Sequence, residues 1–405
     1  MGLIVQKYGG TSVADVDRIR HVAKRVAGTY AAGNNVVVIL SAMAGVTDRL
    51  IAMAHQAAKK PNKRELDVLL ATGEQTTAAL LAMMLQEMDY AAKSMLGHQV
   101  SVLTDQCFGN ARIHDIQVER IQHLLDKDTI VVVAGFQGCD QEGNITTLGR
   151  GGSDTSAVAI AAALKADMCE IYTDVNGIYT ADPNAVAKAR KLDRISFEEM
   201  LEMASIGAKV LQIRSVEFAK KYKVPLHVRS TFIEEVGTMV VEEDAGMESV
   251  VVSGVTFNKN EARITLKQVL DKPGIAAKIL TPVADAGISV DMIIQNTLAS
   301  GKTDFTFTVA KGDFEAAMEI EKKVVAEIGA EDVIGDDNIA KVSITGVGMR
   351  SHPGVAARMF AALARENINI LMISTSEIRV SCLLDEKYAE LAARALHKEF
   401  RLDTD

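Results

Sequence analysis

A block of the C-terminal half occurs twice, and no other feature of the sequence restricts the fold so tightly. Ile264-Thr265, Pro273-Gly274-Ile275-Ala276-Ala277-Lys278-Ile279 and Gly287-Ile288-Ser289-Val290-Asp291-Met292-Ile293 form the first copy. Ile344-Thr345, Pro353-Gly354-Val355-Ala356-Ala357-Arg358-Met359 and Asn367-Ile368-Asn369-Ile370-Leu371-Met372-Ile373 form the second. Pro273 and Pro353 stand 80 residues apart, and the offset holds without a gap. Such a repeat means one structural unit built twice. Each copy continues with an alternating stretch (Phe305–Val309; Ile378–Leu384) and an amphipathic one (Phe314–Ile328; Tyr388–Phe400). Strand, helix, strand, strand, helix is the ferredoxin-like order. Both copies open their first helix with Pro-Gly, leaving N–H groups free for a carboxylate.

Ahead of the repeat the pattern is different. Leu3–Gln6, Val36–Leu40, Ile130–Ala134 and Glu170–Thr173 are short apolar runs fit for strands buried on both faces. Lys7-Tyr8-Gly9-Gly10-Thr11-Ser12 follows the first, and Val13, Val16, Ile19, Val22 and Val26 then recur at helical spacing. The second runs into Ser41–Asp48, another small-residue turn opening a helix. Leu66–Leu70 and Thr77–Met88 read as helices with a break at Ala71–Gln75. Ser196 and Glu199 form a capping box that starts a helix predicted over Ser196–Val210. Alternating strands and helices predict an open, mostly parallel sheet sandwiched by helices through about residue 230. Ligands bind such sheets at the strands' carboxyl ends, where Lys7, Ser41 and Asp174 fall.

Within this region Thr147–Ser156 holds the densest chemistry. Three glycines permit close approach of the backbone, and Ser153, Asp154 and Thr155 are N-cap types before the alanine-rich Ala157–Ala166. Free amides at a helix start bind anions. Arg150 adds a fork suited to carboxylate or phosphate, and Asp154 an acid able to hold a cation or a lysine. The chain has no Gly-x-x-x-x-Gly-Lys-[Ser/Thr] element, so it is not a P-loop kinase.

With 405 residues, two or three domains are expected. The acidic stretch 233–249 reads as a linker. A net charge of -9 argues against nucleic-acid binding. Cys107, Cys139, Cys169 and Cys382 are isolated and read as reduced thiols. No signal-peptide layout and no apolar stretch of membrane-spanning length is evident, so a cytoplasmic location without membrane partners is expected.

Lys7–Ser12, Thr72-Gly73-Glu74, Gly149–Asp154 and the segment Thr173-Asp174-Val175-Asn176-Gly177-Ile178-Tyr179-Thr180-Ala181-Asp182-Pro183 together resemble the aspartokinase family, and the paired repeats resemble its ACT domains. The likeness covers essentially the whole chain and is nearest to the short, monofunctional bacterial type. It implies an α/β fold with an amino-acid-kinase domain at 1–232, a linker at 233–249, and two ferredoxin-like (βαββαβ) ACT domains at 250–336 and 337–405. Strand 250–257 is expected to pack with the second. The implied reaction moves the ATP γ-phosphoryl to the side-chain carboxylate of L-aspartate, with Mg2+ arriving on ATP. It opens the route to lysine, threonine, methionine and diaminopimelate.

By resemblance, Lys7 stabilises the transferring phosphoryl and Asp154 orients it. Arg150 clamps the aspartate carboxylate and Glu74 accepts its ammonium, with Thr47, Gly151, Gly152 and Ser153 around them. Tyr8, Gly9, Gly10, Ser41, Thr173, Asp174, Tyr179, Asp182, Pro183 and Lys209 are assigned to ATP. The effector segments are Asp271, Lys272, Pro273, Gly274, Ile275, Ala276, Ala277, Ser289, Val290, Asp291, Gln295 and Asn296. Their second-copy equivalents include His352, Pro353, Gly354, Val355, Asn369, Ile370 and Thr375. Unequal polar residues suggest non-identical sites for lysine and threonine. A homo-oligomer or an α2β2 assembly through the ACT domains is implied, with Met247 as an internal start for a separate regulatory subunit. Two readings compete: a kinase for another carboxylate or carbamate, and an amino-acid sensor without catalysis.

Overall fold

The computed structural model describes residues 2–208, 210–244, 251–297 and 301–404; Lys209, Met247 and part of the expected linker lie outside them. The chain divides into two compact units, one formed by Met1–Tyr179 with Lys191–Met247 and the other by Thr180–Arg190 with Glu248–Asp405.

The first unit begins with β1 (Leu3–Tyr8), α1 (Val16–Ala31), β2 (Asn35–Leu40), α2 (Val46–Ala57), α3 (Lys63–Glu87) and β3 (Ala92–Met95). Next come β4 (Val102–Thr104), β5 (Ile113–Ile116), α4 (Glu119–Leu125), β6 (Ile130–Ala134), β7 (Gln137–Cys139), β8 (Ile145–Thr147) and α5 (Gly152–Leu164). It ends with β9 (Met168–Thr173), β10 (Arg194–Ser196), α6 (Phe197–Ile206), α7 (Ile213–Tyr222), β11 (Leu226–Ser230) and β12 (Thr238–Val241). The main sheet runs β10-β12-β11-β9-β1-β2-β6-β3. The six strands from β11 to β3 are parallel, whereas β12 runs antiparallel to β11 and carries β10 with it.

Alternation along these strands separates two cores. Val37, Ile39, Val131 and Val133 pack with residues of α4, α5, α6 and α7 on one face. Val36, Val38, Leu40, Ile130 and Val132 pack with α1 and α3 on the other. That is why the strands read as unbroken apolar runs. A second sheet, β5-β4-β7-β8, stands beside the main one.

Three local features differ from the sequence expectation. The break at Ala71–Gln75 does not exist, since α3 is continuous for 25 residues. A methyl group at Gly73 would lie 2.7 Å from Ala42 Cβ, so this glycine serves close packing rather than a kink. The unbroken helix is also long and apolar enough to cross a membrane, a length hidden when it is read as two pieces. It is half-buried within the protein and sinks Asp67 and Glu74 into the fold. Helix α6 keeps its capping box but ends at Ile206, where Gly207 turns left-handed (φ 117°). At α5 the N-cap is Gly151 (φ 69°), not Ser153–Thr155, which occupy the first turn.

The second unit contains β13 (Gly254–Leu270), α8 (Ile275–Asp285), β14 (Val290–Thr297), β15 (Lys302–Val309), α9 (Phe314–Ile328) and β16 (Asp332–Thr345). It closes with α10 (Val355–Arg365), β17 (Met372–Thr375), β18 (Arg379–Asp385) and α11 (Ala389–Glu399). All six strands form one sheet, ordered β14-β15-β13-β16-β18-β17. The two long strands serve both repeats. The far end of β13 is the first strand of copy one and pairs with Asp332–Asp336, while its near end, Gly254–Asn258, pairs with Lys341–Thr345 of copy two. The first ferredoxin-like unit takes its last strand, Asp332–Asp336, from the chain that follows α9, whereas the second borrows Gly254–Asn258 from outside its own repeat, and irregularities between Asn258 and Arg263 mark the change-over. Buried Lys341 is ion-paired there with Glu261 and with Asp291. Burial repeats with the sequence: Pro273-Gly274 and Pro353-Gly354 are exposed, whereas Ile275 and Val355 are buried.

Candidate active site

The carboxyl ends of β1, β2, β6 and β9 meet the start of α5. Lys7 is buried at the end of β1, and its Nζ is 2.5 Å from Asp154 Oδ1 in the first turn of α5. The adjoining turn is bonded to its neighbours, Gly9 N–H donating to the Tyr172 carbonyl (3.2 Å) and Ala44 N–H to the Gly10 carbonyl (3.2 Å). Tyr8 is fully buried and stacks on Tyr172 with ring centroids 4.6 Å apart. Its ring therefore supports the floor of the site rather than its opening.

Glu74 comes from the middle of α3 and is 4% exposed. Its Oε1 accepts from the Ala42 amide (3.1 Å), and its Oε2 is buried with no partner. Burial pushes the carboxyl up to about 7, against the opposing pull of the Ala42 hydrogen bond. An orphaned carboxylate oxygen is costly unless a ligand completes it. Ser41 and Thr47 flank this point, the first after β2 and the second in the opening turn of α2, and both are half-buried.

The glycine loop is the third wall. Gly151 permits a left-handed turn, and a side chain there would also run into Gln212. Gly152 and Ser153 are buried in the first turn of α5, and Arg150 is exposed with no ion pair among the described residues. Two supports of this loop were not anticipated. Asp67 of α3 accepts from the Thr147 amide and hydroxyl (2.8 Å each), and Arg214 of α7 donates to the Leu148 carbonyl (2.6 Å). A lone Asp and a lone Arg in helical patterns give no sequence signal of such a contact.

Past β9, the Thr173 hydroxyl donates to Asp174 Oδ1 (3.1 Å), and Tyr179 makes an isolated bridge with Lys191. Asp182 and Pro183 belong to the other unit, where Asp182 Oδ1 accepts from the Asn184 amide (2.9 Å). Among the described residues no group of three or more His, Cys, Asp or Glu side chains is arranged to hold a metal. A divalent cation arriving here would be bound mainly by phosphate oxygens.

In the second unit the segments expected to bind effectors open both repeats. Gln295 Nε2 donates to Asp271 Oδ1 (3.2 Å), tying the turn before α8 to β14. The equivalent positions hold Ser351 and Thr375, while His352 Nδ1–H donates to the Gly348 carbonyl (2.7 Å). The two turns share a backbone but differ in their polar groups.

Residues 2–230 match the amino acid kinase family, and residues 263–326 and 342–400 each match the ACT domain. The chain is 58% identical over 404 residues to an aspartate kinase of Stutzerimonas stutzeri, covering 100% of this chain and 98% of that one. It superposes on E. coli aspartokinase III in complex with aspartate and ADP (R-state) with a TM-score of 0.84 at 27% identity, over 98% of this chain and 99% of that one. The same enzyme in complex with lysine and aspartate (T-state) gives 0.79 at 27% identity, with the same coverage.

Proposed function

The chain belongs to the aspartokinase family and is an aspartate kinase, and from that premise we propose that it converts the side-chain carboxylate of L-aspartate to 4-phospho-L-aspartate. The observation that carries the substrate assignment is Glu74, whose unpartnered buried oxygen matches an ammonium group. Exposed, unpaired Arg150 supplies the opposite charge for the α-carboxylate. Held between them, aspartate directs its side chain toward Lys7 and the ATP γ-phosphorus. A carboxylate oxygen attacks phosphorus in line, the bond to the β–γ bridging oxygen breaks, and ADP leaves with that electron pair. The nucleophile is already ionised at neutral pH, so no general base is required. Catalysis reduces to positioning and charge neutralisation. Lys7 and the start of α5 provide positive charge where negative charge accumulates, and Asp154 fixes the lysine. Mg2+ bound to ATP would shield the phosphates, held mainly by the phosphate oxygens themselves. Ser41, Thr173, Asp174 and Tyr179 border the nucleotide in this reading.

The two ACT repeats sense end products, and lysine with threonine are the proposed effectors. The lysine complex of the E. coli enzyme supports the first, and the differing pairs Asp271/Gln295 and Ser351/Thr375 support unequal sites. Ile293 and Ile373 are equivalent repeat positions on the two edge strands, and both are exposed. They favour assembly through this unit, as a homo-oligomer or an α2β2 form.

An ADP-release assay tests the proposal with aspartate, glutamate and N-acetylglutamate as acceptors, each with lysine and threonine alone and together. Release dependent on aspartate and suppressed by the amino acids is expected. Equal rates with glutamate overturn the substrate assignment, and full activity with both amino acids present overturns the feedback. Lys7→Ala should fold normally yet lose about 3–4 kcal/mol of transition-state stabilisation, read as kcat. Near-normal turnover removes Lys7 from the chemistry.

A further inference from the structure

Asp67 is fully buried and uses both carboxylate oxygens on backbone and hydroxyl donors from two other segments. Its Oδ2 accepts from the Thr147 amide (2.8 Å) and the Gly109 amide (3.0 Å), and its Oδ1 from the Thr147 hydroxyl (2.8 Å). Thr147 is the last residue of β8, three before Arg150. The same two segments are stitched together by the Ala111 amide on the Thr147 carbonyl (2.9 Å). Arg214 bridges the same two segments, donating to the carbonyls of Leu148 (2.6 Å) and Ala111 (2.9 Å). A buried carboxylate meeting three donors is a rigid anchor, because losing it leaves those donors unsatisfied in a low-dielectric interior.

Its place on α3 gives that anchor a purpose. Asp67 and Glu74 are seven residues apart on one uninterrupted helix, hence on the same face and about 10 Å apart along the axis. One end of this span holds the root of the loop bearing Arg150, and the other carries the carboxylate offered to the ammonium.

We propose that Asp67 is a positioning residue that makes α3 a ruler for the amino-acid substrate, setting the spacing between the Arg150 guanidinium and the Glu74 carboxylate. This rests on the roles assigned to Arg150 and Glu74 above. With both α-substituents of the substrate held at fixed places, only a side chain of one length brings its carboxylate in line with the γ-phosphorus. Glutamate, longer by one methylene, overshoots, and misplacement by about 1 Å costs on the order of a hundredfold in rate.

The test compares Asp67→Asn, Thr147→Val and Arg150→Ala in the full chain, with KM and kcat for aspartate, glutamate and ATP and the Tm of each variant. Asparagine keeps one acceptor but turns its amide toward donors, while valine removes only the hydroxyl bond and leaves Asp67 in place. For Asp67→Asn, the aspartate KM should rise about tenfold and the ratio of kcat/KM for aspartate over glutamate should fall at least as much, with the ATP KM within twofold. Thr147→Val should move the same parameters less far, and it decides the matter if Asp67→Asn does not fold. The ruler is refuted if aspartate and ATP KM rise together, or if selectivity is unchanged in the variants that fold. Arg150→Ala separates the levels: a normal aspartate KM there refutes the clamp and the ruler with it, whereas a raised one beside unchanged Asp67 and Thr147 variants refutes the ruler alone.

Discussion

Burial acts on Glu74 in two ways that matter at different pH. It removes competing water from the carboxylate, and it makes the charged form expensive, lifting the carboxyl to about 7. Only the ionised form can receive an ammonium group with full strength. The value of kcat/KM for aspartate should therefore fall about tenfold between pH 8 and pH 6 as the carboxyl takes up its proton. The corresponding value for ATP should stay nearly level over that range. In Glu74→Gln the aspartate term should be low and flat; a wild-type slope that survives this substitution assigns the titration to another group. The sequence nominates Glu74 through the resemblance of Thr72-Gly73-Glu74 to the aspartokinase family, and draws attention to Lys7, Arg150 and Asp154 through their glycine turns. Asp67 and Arg214 receive no such signal, because neither sits in a turn or beside a glycine. Their partners are main-chain groups 80 and 66 residues away, a distance that no local pattern reports.

At the scale of elements, periodicity revealed the strands and amphipathic helices and failed where a tertiary contact explained a residue. Gly73 suggested a break because glycine weakens an isolated helix, yet packing against Ala42 requires its missing methyl. Gly73→Ala should push Ala42 and with it the amide that holds Glu74. A loss of about 1–3 kcal/mol of stability, measured by denaturant unfolding, should accompany a raised aspartate KM. Unchanged KM would separate the packing from the site. In the second unit the sequence leads to the expectation that strand 250–257 packs with the second repeat, and Gly254–Asn258 does pair with Lys341–Thr345; what the repeat pattern does not report is that β13 and β16 each run on as one strand through both copies. Helix α9 contains a further consequence of burial. Glu321 is fully buried with neither oxygen partnered, and desolvation lifts it to about 7. The folded form then binds more protons than the unfolded chain between about pH 4.5 and 7, so stability falls as pH rises through that window. Glu321→Gln should gain up to about 3 kcal/mol at pH 8 and almost nothing at pH 4.5. Equal unfolding midpoints of the two proteins at pH 8 would mean that the carboxyl is not desolvated.

Across the whole molecule, the informative feature is a chain that visits the second unit briefly before its final crossing. It leaves the kinase unit after Tyr179, contributes Thr180–Arg190 to the regulatory unit, and returns at Lys191. The departure falls inside Thr173–Pro183, the segment assigned to the nucleotide. Its regulatory part is firmly seated, with Ala181 and Val186 in the core of the second repeat. Thr180 anchors it: the Val255 amide donates to its carbonyl (2.7 Å), the Arg190 amide donates to its hydroxyl (2.9 Å), and that hydroxyl lies 2.9 Å from His397 Nε2. His397 is buried and shifted down, chiefly by desolvation, so it is neutral at pH 7 and exchanges a neutral hydrogen bond. A rearrangement of the second repeat that moved β13 or α11 would act on this anchor, which is covalently continuous with Tyr179. A ligand shifts such an equilibrium only through its differing affinity for the two states, so loosening the anchor should reduce what binding transmits without altering the chemistry. Thr180→Val keeps shape and burial and deletes both hydroxyl bonds, a change of about 1–3 kcal/mol. Uninhibited kcat should stay within twofold. If lysine and threonine inhibit as proposed, inhibition should need at least threefold higher concentrations. An inhibition curve identical to the parent would mean that control reaches the kinase unit by a path that does not include Thr180–Arg190.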